Sequence, residues 1–305
     1  MAIDQDAVCI FIPTLNEAPT IGPLVTTFRK KGFSHILVMD GNSTDATVRI
    51  AREAGAVVHT QSGKGKGEAI IEAIELIEQP YILMLDGDGT YDPDDADAML
   101  EPLFEGADHV IGNRLAFPEK GALTALNHFG NEVINYLFKV AHGAYLYDIL
   151  SGYRAFTRAG IRQMQLSERG FEIEIETEIA VEAVRNNQKT VIVPVKYGKR
   201  PGTETKLHPF KDGFKIARTV YRLAKINNPL FYFGLIGIII LIAGGLTGLY
   251  VVYEWMNGIE RIPMTILTLL LIMVGFNIFM FGVIADMLLT FHREVMREIH
   301  RLRER

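Results

Sequence analysis

The chain has 305 residues, a net charge of −5 and one Cys. Charged residues are 22% and hydrophobic residues 49%, which excludes a largely disordered chain and gives no general reason to bind nucleic acid. A single thiol excludes a disulfide framework and every multi-Cys metal site, and a mean hydropathy of +0.16 beside an ordinary charge fraction points to a soluble part joined to an apolar one.

The N-terminus, MAIDQDAVCIFIP, has no basic n-region and does not read as a signal peptide. Short apolar runs then alternate with amphipathic stretches. The runs are 8–13, 35–40, 56–60, 81–86, 109–113 and 191–195, with helical patterns at 18–31, 44–54, 66–79 and 93–105. Cys9 lies inside the first run and reads as a small core residue. Such alternation predicts an α/β fold with a mostly parallel, Rossmann-like sheet covered by helices on both faces. Sheets of this kind bind ligands beyond the carboxyl ends of their strands, so the residues after each run are the informative ones.

Those residues are Pro13-Thr-Leu15-Asn-Glu17, Asp40-Gly-Asn-Ser43-Thr-Asp45, Gly63-Lys64-Gly-Lys66-Gly67, Asp86-Gly-Asp88-Gly-Thr90 and Gly112-Asn-Arg114. Asp86 and Asp88 at a strand exit can meet a ribose and a hard divalent cation, Mg²⁺ or Mn²⁺, whose shell phosphates would complete. An EF-hand fails, because Tyr91 stands where Gly is needed and a strand precedes the acidic run. The rest of that run, Asp92, Asp94, Asp95 and Asp97, reads as the capped, solvated start of a helix. The Gly63–Gly67 loop is neither a Walker A loop nor a dinucleotide fingerprint, but a flexible loop opening a helix suits a phosphate. The eight His residues show no catalytic or metal spacing.

Residues 121–142 have apolar positions at helical spacing and suit either core packing or a helix lying in lipid headgroups. The run around Glu172, Glu174, Glu176 and Glu178 favours a helix, most of its acids solvated and one free to touch an acceptor site. Segment 209–226 carries a basic face suited to a membrane surface. Leu230–Tyr253 and Ile262–Ala285 are each 24 residues without a charge. At 1.5 Å per residue each spans roughly 36 Å, against a hydrocarbon core of about 30 Å. Basic residues precede the first span and follow the second, which predicts both chain ends in the cytoplasm. Asp286, near the cytoplasmic end, is expected to snorkel or pair with Arg293.

Taken in order, Pro13–Glu17, Asp40-x-x-Ser43-x-Asp45-x-Thr47, Gly65-Lys-Gly67, Asp86-x-Asp88, Gly112-Asn-Arg114 and Ser151-Gly-Tyr-Arg-Ala-Phe156 resemble the family 2 glycosyltransferases of the GT-A fold. Within them the chain is similar to the dolichyl-phosphate mannose synthase branch, and most of all to archaeal dolichyl-phosphate hexose synthases of S-layer N-glycosylation. The resemblance covers about residues 8–210. It implies that Pro13, Leu15, Glu17 and Asp40 hold base and ribose, that Asp86 faces ribose or sugar, and that Asp88 binds the metal. It places Arg114 at the acceptor phosphate with Ser151 and Arg154 nearby. Arg200 and Lys206 fall in a basic loop of shifted spacing, assigned to acceptor or donor phosphates. Lys64 or Lys66 would meet the leaving diphosphate. Leu15, Gly41 and Thr90 depart from the family pattern and argue against a plain GDP-mannose enzyme.

The expected layout is a catalytic domain at 1–202, a basic juxtamembrane segment at 203–228, two membrane helices within 229–291 and a basic tail at 292–305. The expected function is a hexose transfer, with inversion, from a nucleotide-sugar, UDP-sugar ahead of GDP-mannose, to dolichyl or polyprenyl phosphate, for protein N-glycosylation. The favoured sugars are glucose or N-acetylglucosamine, ahead of mannose. The site would face the cytoplasm of an archaeal cell membrane. The rivals are transfer to a lipid-linked sugar or polymer, and a non-catalytic nucleotide-sugar-binding membrane subunit.

Overall fold

The computed structural model describes residues 3–119, 121–123, 125–166, 174–200 and 229–303. The chain divides into two compact units, residues 1–139 with 143–220, and residues 140–142 with 221–305. Lys206, Glu172, segment 209–226 and the expected boundary at residue 202 lie outside the described residues, as does the Arg293 side chain expected to pair with Asp286.

The first unit is built on a seven-stranded sheet in the order β3-β2-β1-β4-β6-β5-β7. The strands are β1 (Val8–Thr14), β2 (His35–Asp40), β3 (Val57–Thr60), β4 (Tyr81–Met84), β5 (His109–Pro118), β6 (Arg154–Thr157) and β7 (Thr190–Tyr197). The helices are α1 (Ala18–Lys30), α2 (Thr47–Glu53), α3 (Lys66–Leu76), α4 (Ala96–Phe104), α5 (Ala125–His142), α6 (Arg158–Arg162) and α7 (Glu174–Arg185). Every residue of β1 is buried, as expected of a central parallel strand. Its residues alternate between two cores. Val8, Ile10 and Ile12 pack with α1 and α4, through Ile21, Val25, Phe28, Met99 and Leu100. Cys9 and Phe11 pack with α3 and α7, through Ile70, Ala73, Ile175 and Ile179.

Three features depart from the pattern of apolar runs. The β3 run lies at the sheet edge, where Val57 is exposed. Helix α4 starts only at Ala96, after a 3₁₀ turn at Pro93–Asp95 in which the Asp92 side chain accepts from Asp94 N. The third is β6, a strand of four residues that pairs antiparallel with both β4 and β5. Because it runs against its neighbours, its first residue, Arg154, lies opposite Met84 at the end of β4 and opposite Ile111 within β5.

The second unit is a pair of helices, α8 (Pro229–Met256) and α9 (Ile262–Arg303). Both are long and apolar enough to cross a membrane, and only 11% of the most apolar window of each is buried. A buried core helix would not leave so much apolar surface open. Helix α9 does not stop at the end of the apolar run but continues to Arg303. The pair packs through glycine. A Cβ on Gly237 would come within 2.8 Å of Gly275 O, and one on Gly275 within 2.9 Å of Leu241 N. In lipid, where no hydrophobic force draws helices together, close backbone approach of this kind favours association. Thr268 Oγ1 donates across the pair to Thr247 Oγ1 at 3.2 Å.

The crossing is testable with Thr247→Cys and Thr268→Cys together. Oxidation is expected to join them within one chain, seen as a mobility shift. Adding Gly237→Leu is expected to abolish that cross-link, and an unchanged yield would refute the glycine contact.

Candidate active site

The first two loops at the carboxyl edge are locked together. Asn16 N donates to Ser43 Oγ at 2.9 Å, Glu17 N to Thr47 Oγ1 at 2.9 Å and Ala18 N to Asp45 Oδ2 at 3.3 Å. Asn16 Oδ1 accepts in return from Thr44 N at 2.8 Å. Asn16 and Asn42 hold positive φ angles of 56° and 67°, which Asn tolerates better than most residues. The Ser-x-Asp-x-Thr spacing therefore serves the backbone of the neighbouring loop. Asp40, expected to meet base or ribose, is buried and accepts from Asn42 N and Ser43 N of its own loop. Pro13 is buried in β1, while Leu15 is exposed at the edge. Glu17 is ion-paired with Arg200, the residue three beyond β7.

The β4 exit carries the two acids. Asp86 is ion-paired with Lys66, whose ammonium also meets Glu176 at 2.6 Å. Lys66 was expected to face a diphosphate, but it opens α3 from a half-buried position and is held between two carboxylates. Those neighbours outweigh its burial and push its pKa above the ordinary lysine value. Lys64 is exposed. The exit loop is tight. A Cβ on Gly87 would overlap Thr14, and one on Gly152 would overlap Asp86 Oδ2. Asp88 is half-buried, and its Oδ1 accepts from Thr90 N at 3.1 Å and Thr90 Oγ1 at 2.7 Å.

Strand β5 continues past its expected end at residue 113, and Arg114 lies within it, at the irregularity in its pairing with β7 between Asn113 and Phe117. Its Nε donates to Asp148 Oδ2 at 2.9 Å and its backbone N to the same oxygen at 3.2 Å. The guanidinium lies 5.5 Å from the ring centre of Tyr197. Asp148 is fully buried, and its charge helps to hold the Arg114 pKa above its usual value. Tyr91 stands near both charges: it feels Arg114 and Asp86, and its hydroxyl accepts from Gly152 N at 2.8 Å. Ser151 and Arg154, expected beside a ligand, are both 0% exposed. Arg154 donates to backbone carbonyls, and Ser151 Oγ accepts from Tyr153 N at 3.3 Å, so neither presents a face to a ligand.

The chain thus gathers Glu17, Lys66, Asp86, Asp88, Arg114 and Arg200 at one edge of the sheet. Asp148 and Glu176 complete the ion pairs; Asp148 was not named from sequence, and Glu176 was named only within a run of acids expected to be mostly solvated. Glu176 sits on the apolar stripe of α7 with Ile175 and Ile179, which was the available signal that it is not solvated. For Asp148 no spacing names Arg114 as its partner. Among the described residues no group of three or more His, Cys, Asp or Glu side chains is placed to hold a metal. One or two carboxylates still suit Mg²⁺ or Mn²⁺, which keep water and phosphate oxygens as their other ligands. Asp88 fits this role, since its described hydrogen bonds fall on one oxygen.

Gly152→Ala is expected to destabilise the fold by about 1–3 kcal/mol through overpacking. In an Asp86→Ala background the same substitution should cost less, because the obstructing carboxylate is gone. Equal losses in denaturant unfolding of both backgrounds would refute the contact.

The Glycosyl transferase family 2 pattern matches residues 9–168. Over 300 residues the chain is 49% identical to glycosyltransferase AglJ of Haloferax volcanii, spanning 97% of this chain and 98% of that protein. It is 29% identical over 222 residues to the dolichyl-phosphate hexose transferase of the same organism, spanning 72% of this chain and 94% of that one. Glucosyl-3-phosphoglycerate synthase from Mycobacterium tuberculosis, solved with Mn²⁺ and UDP-glucose, shares the fold with a TM-score of 0.58 at 18% identity, over 71% of this chain and 78% of that one. With its acids after β4, its cation within β5 and this span of similarity, the chain belongs to the family 2 glycosyltransferases and has the GT-A fold.

Proposed function

We propose that this glycosyltransferase moves a hexose, glucose or N-acetylglucosamine ahead of mannose, from a UDP-sugar to dolichyl or polyprenyl phosphate at the cytoplasmic face of an archaeal membrane. The product would serve protein N-glycosylation. The observation that carries the reading is the pairing of an acidic β4 exit with a half-buried guanidinium from β5, in a chain that also bears two long apolar helices. The acids suit a metal-bound diphosphate, and the guanidinium suits a phosphate acceptor. The name of the 29% identical relative supports the acceptor, and the UDP-glucose and Mn²⁺ in the synthase of like fold support the donor.

A lipid phosphate has a second pKa of about 6 and is largely a dianion at neutral pH. It attacks without a strong general base, so the protein's task is to aim it. Arg114, held rigid by Asp148, does this with its remaining N–H groups. Asp88, with Asp86 beside it, would hold the divalent ion, which supplies positive charge to the leaving diphosphate. Lys66 stays paired and keeps Asp86 aimed. Attack in line with the departing diphosphate inverts the anomeric centre.

The surface of α5 supports a lipid-borne acceptor. Ile134, Asn135 and Phe138 are buried, whereas Phe129, Val133, Tyr136, Leu137 and Val140 are exposed along the opposite stripe, Phe129 by 64%. Tyr145 and Tyr147 just beyond are also exposed. Aromatic and aliphatic residues on one side of a helix suit the headgroup region of a bilayer.

Full-length protein with Mg²⁺ or Mn²⁺, a panel of UDP- and GDP-sugars and a polyprenyl phosphate is expected to yield a lipid-linked sugar, and chelation to stop it. Absence of product with every donor overturns the reading. Product only on a lipid-linked sugar would move the acceptor to a hydroxyl group, and metal-dependent donor binding without turnover would leave a binding subunit. Asp88→Ala and Arg114→Ala should each lower kcat/KM by about 100-fold or more, as losses of charge stabilisation do.

A further inference from the structure

Arg154 opens β6 between two strands, opposite Met84 of β4 and Ile111 of β5. Its guanidinium is fully buried and hydrogen-bonded on every side. Nε donates to Ser151 O at 2.8 Å, and Nη2 donates to Ile149 O at 2.6 Å and Glu176 O at 3.0 Å. Nη1 lies 3.3 Å from Nε2 of His109, an imidazole stacked on Phe156 and kept neutral by burial and by the neighbouring cation. A planar fork can satisfy this set of acceptors in fixed directions, which an ammonium cannot.

The carbonyls belong to two different segments, and each segment leads to a different part of the site. Ile149 and Ser151 flank the loop that begins with Asp148, and Asp148 holds Arg114. That loop is also pinned by α5, since Ile149 N donates to Asn135 Oδ1 at 3.0 Å and the Asn135 amide donates to Tyr147 O. On the other side, Glu176 offers its carbonyl to Arg154 and its carboxylate to Lys66, which holds Asp86.

We propose that Arg154 is a positioning residue that sets both arms at once: Asp148–Arg114 through the Ile149 and Ser151 carbonyls, and Lys66–Asp86 through the Glu176 carbonyl. Naming these the acceptor and donor arms rests on the proposed transfer reaction; the mechanical coupling does not. Arg154 touches neither substrate. It makes the geometry of one arm conditional on the other, so the acceptor guanidinium and the donor carboxylate share one frame.

The test uses full-length protein carrying Arg154→Lys, Asp148→Asn or Glu176→Gln. Amide hydrogen exchange reads the coupling without any assay of turnover. Arg154→Lys is expected to speed exchange in both 146–153 and 174–185, Asp148→Asn in the first only and Glu176→Gln in the second only. Acceleration confined to one segment in Arg154→Lys, or none, overturns the proposal. In transfer assays Arg154→Lys should raise KM for donor and acceptor alike, on the order of tenfold, the scale seen when a supporting hydrogen bond behind a site residue is lost. Asp148→Asn should raise KM for acceptor alone, and Glu176→Gln for donor alone. A loss confined to kcat in Arg154→Lys would refute shared positioning. If the unaltered protein transfers no sugar, the reaction reading falls while the exchange result still decides the coupling. Should Arg154→Lys fail to fold, the double variant Asp148→Asn with Glu176→Gln carries the test. Effects beyond the product of the singles support a shared frame, and strict multiplication refutes it.

Discussion

A guanidinium sealed from water keeps its charge only where protein acceptors replace its hydration shell. Arg154 is in that position, and the carbonyls that satisfy it come from the loop before β6 and from the first turn of α7. Burial lowers its pKa to about 10, which still leaves it cationic at neutral pH. The topology explains why it lies there. A strand running with its neighbours would deliver its last residue to the ligand edge. The reversed β6 delivers its first, so the chain must reach the edge through a loop and then dive into the sheet. Arg154 stands at the point of entry and ties that loop down.

Much of the charge around the site is neutralised in pairs by the protein itself. Lys66 is shared by Asp86 and Glu176, Arg114 is held by Asp148, and Arg200 by Glu17. Preorganised charges need little rearrangement when a reacting group develops charge beside them. The same pairing carries stability, because stripping one member from a buried pair leaves an uncompensated charge at a cost of about 3–5 kcal/mol. The raised pKa of Lys66 fixes the sign of the pH dependence. Its stabilisation is complete below the ordinary lysine value and is lost only as pH rises towards the higher folded value.

The parallel strands were legible because apolar runs at regular intervals leave few alternatives to an α/β sheet, and β2 spans the run His35–Asp40 residue for residue. The apolar helices were legible for a similar reason, since a long uncharged stretch admits few environments. The strand β6 was not. It is four residues long, begins with an arginine, and follows a loop whose motif reads as a ligand contact. Sequence pattern reports which residues avoid water, and a buried arginine looks like an exposed one until its acceptors are known. Asp40, Ser151 and Arg154 share this ambiguity. Their motif spacing is real, but the partners that it serves are backbone groups of adjoining loops. Asp86 and Asp88 follow β4 as the strand pattern led one to expect, whereas β5 runs on past residue 113 to Pro118 and so holds Arg114 within the strand rather than beyond it.

Helix α9 is continuous over 42 residues, from Ile262 to Arg303. At 1.5 Å per residue that is a rod of about 63 Å, roughly twice the thickness of a hydrocarbon core of about 30 Å. An uncharged run of 24 residues fills the first part, so in a bilayer the rest would stand clear of the lipid as an unbroken shaft. The arginines near the C-terminus then sit on a mast whose height is set by helix pitch rather than on a loose tether. In a bilayer, the continuous backbone would set how far that end stands from the lipid, as a flexible linker would not.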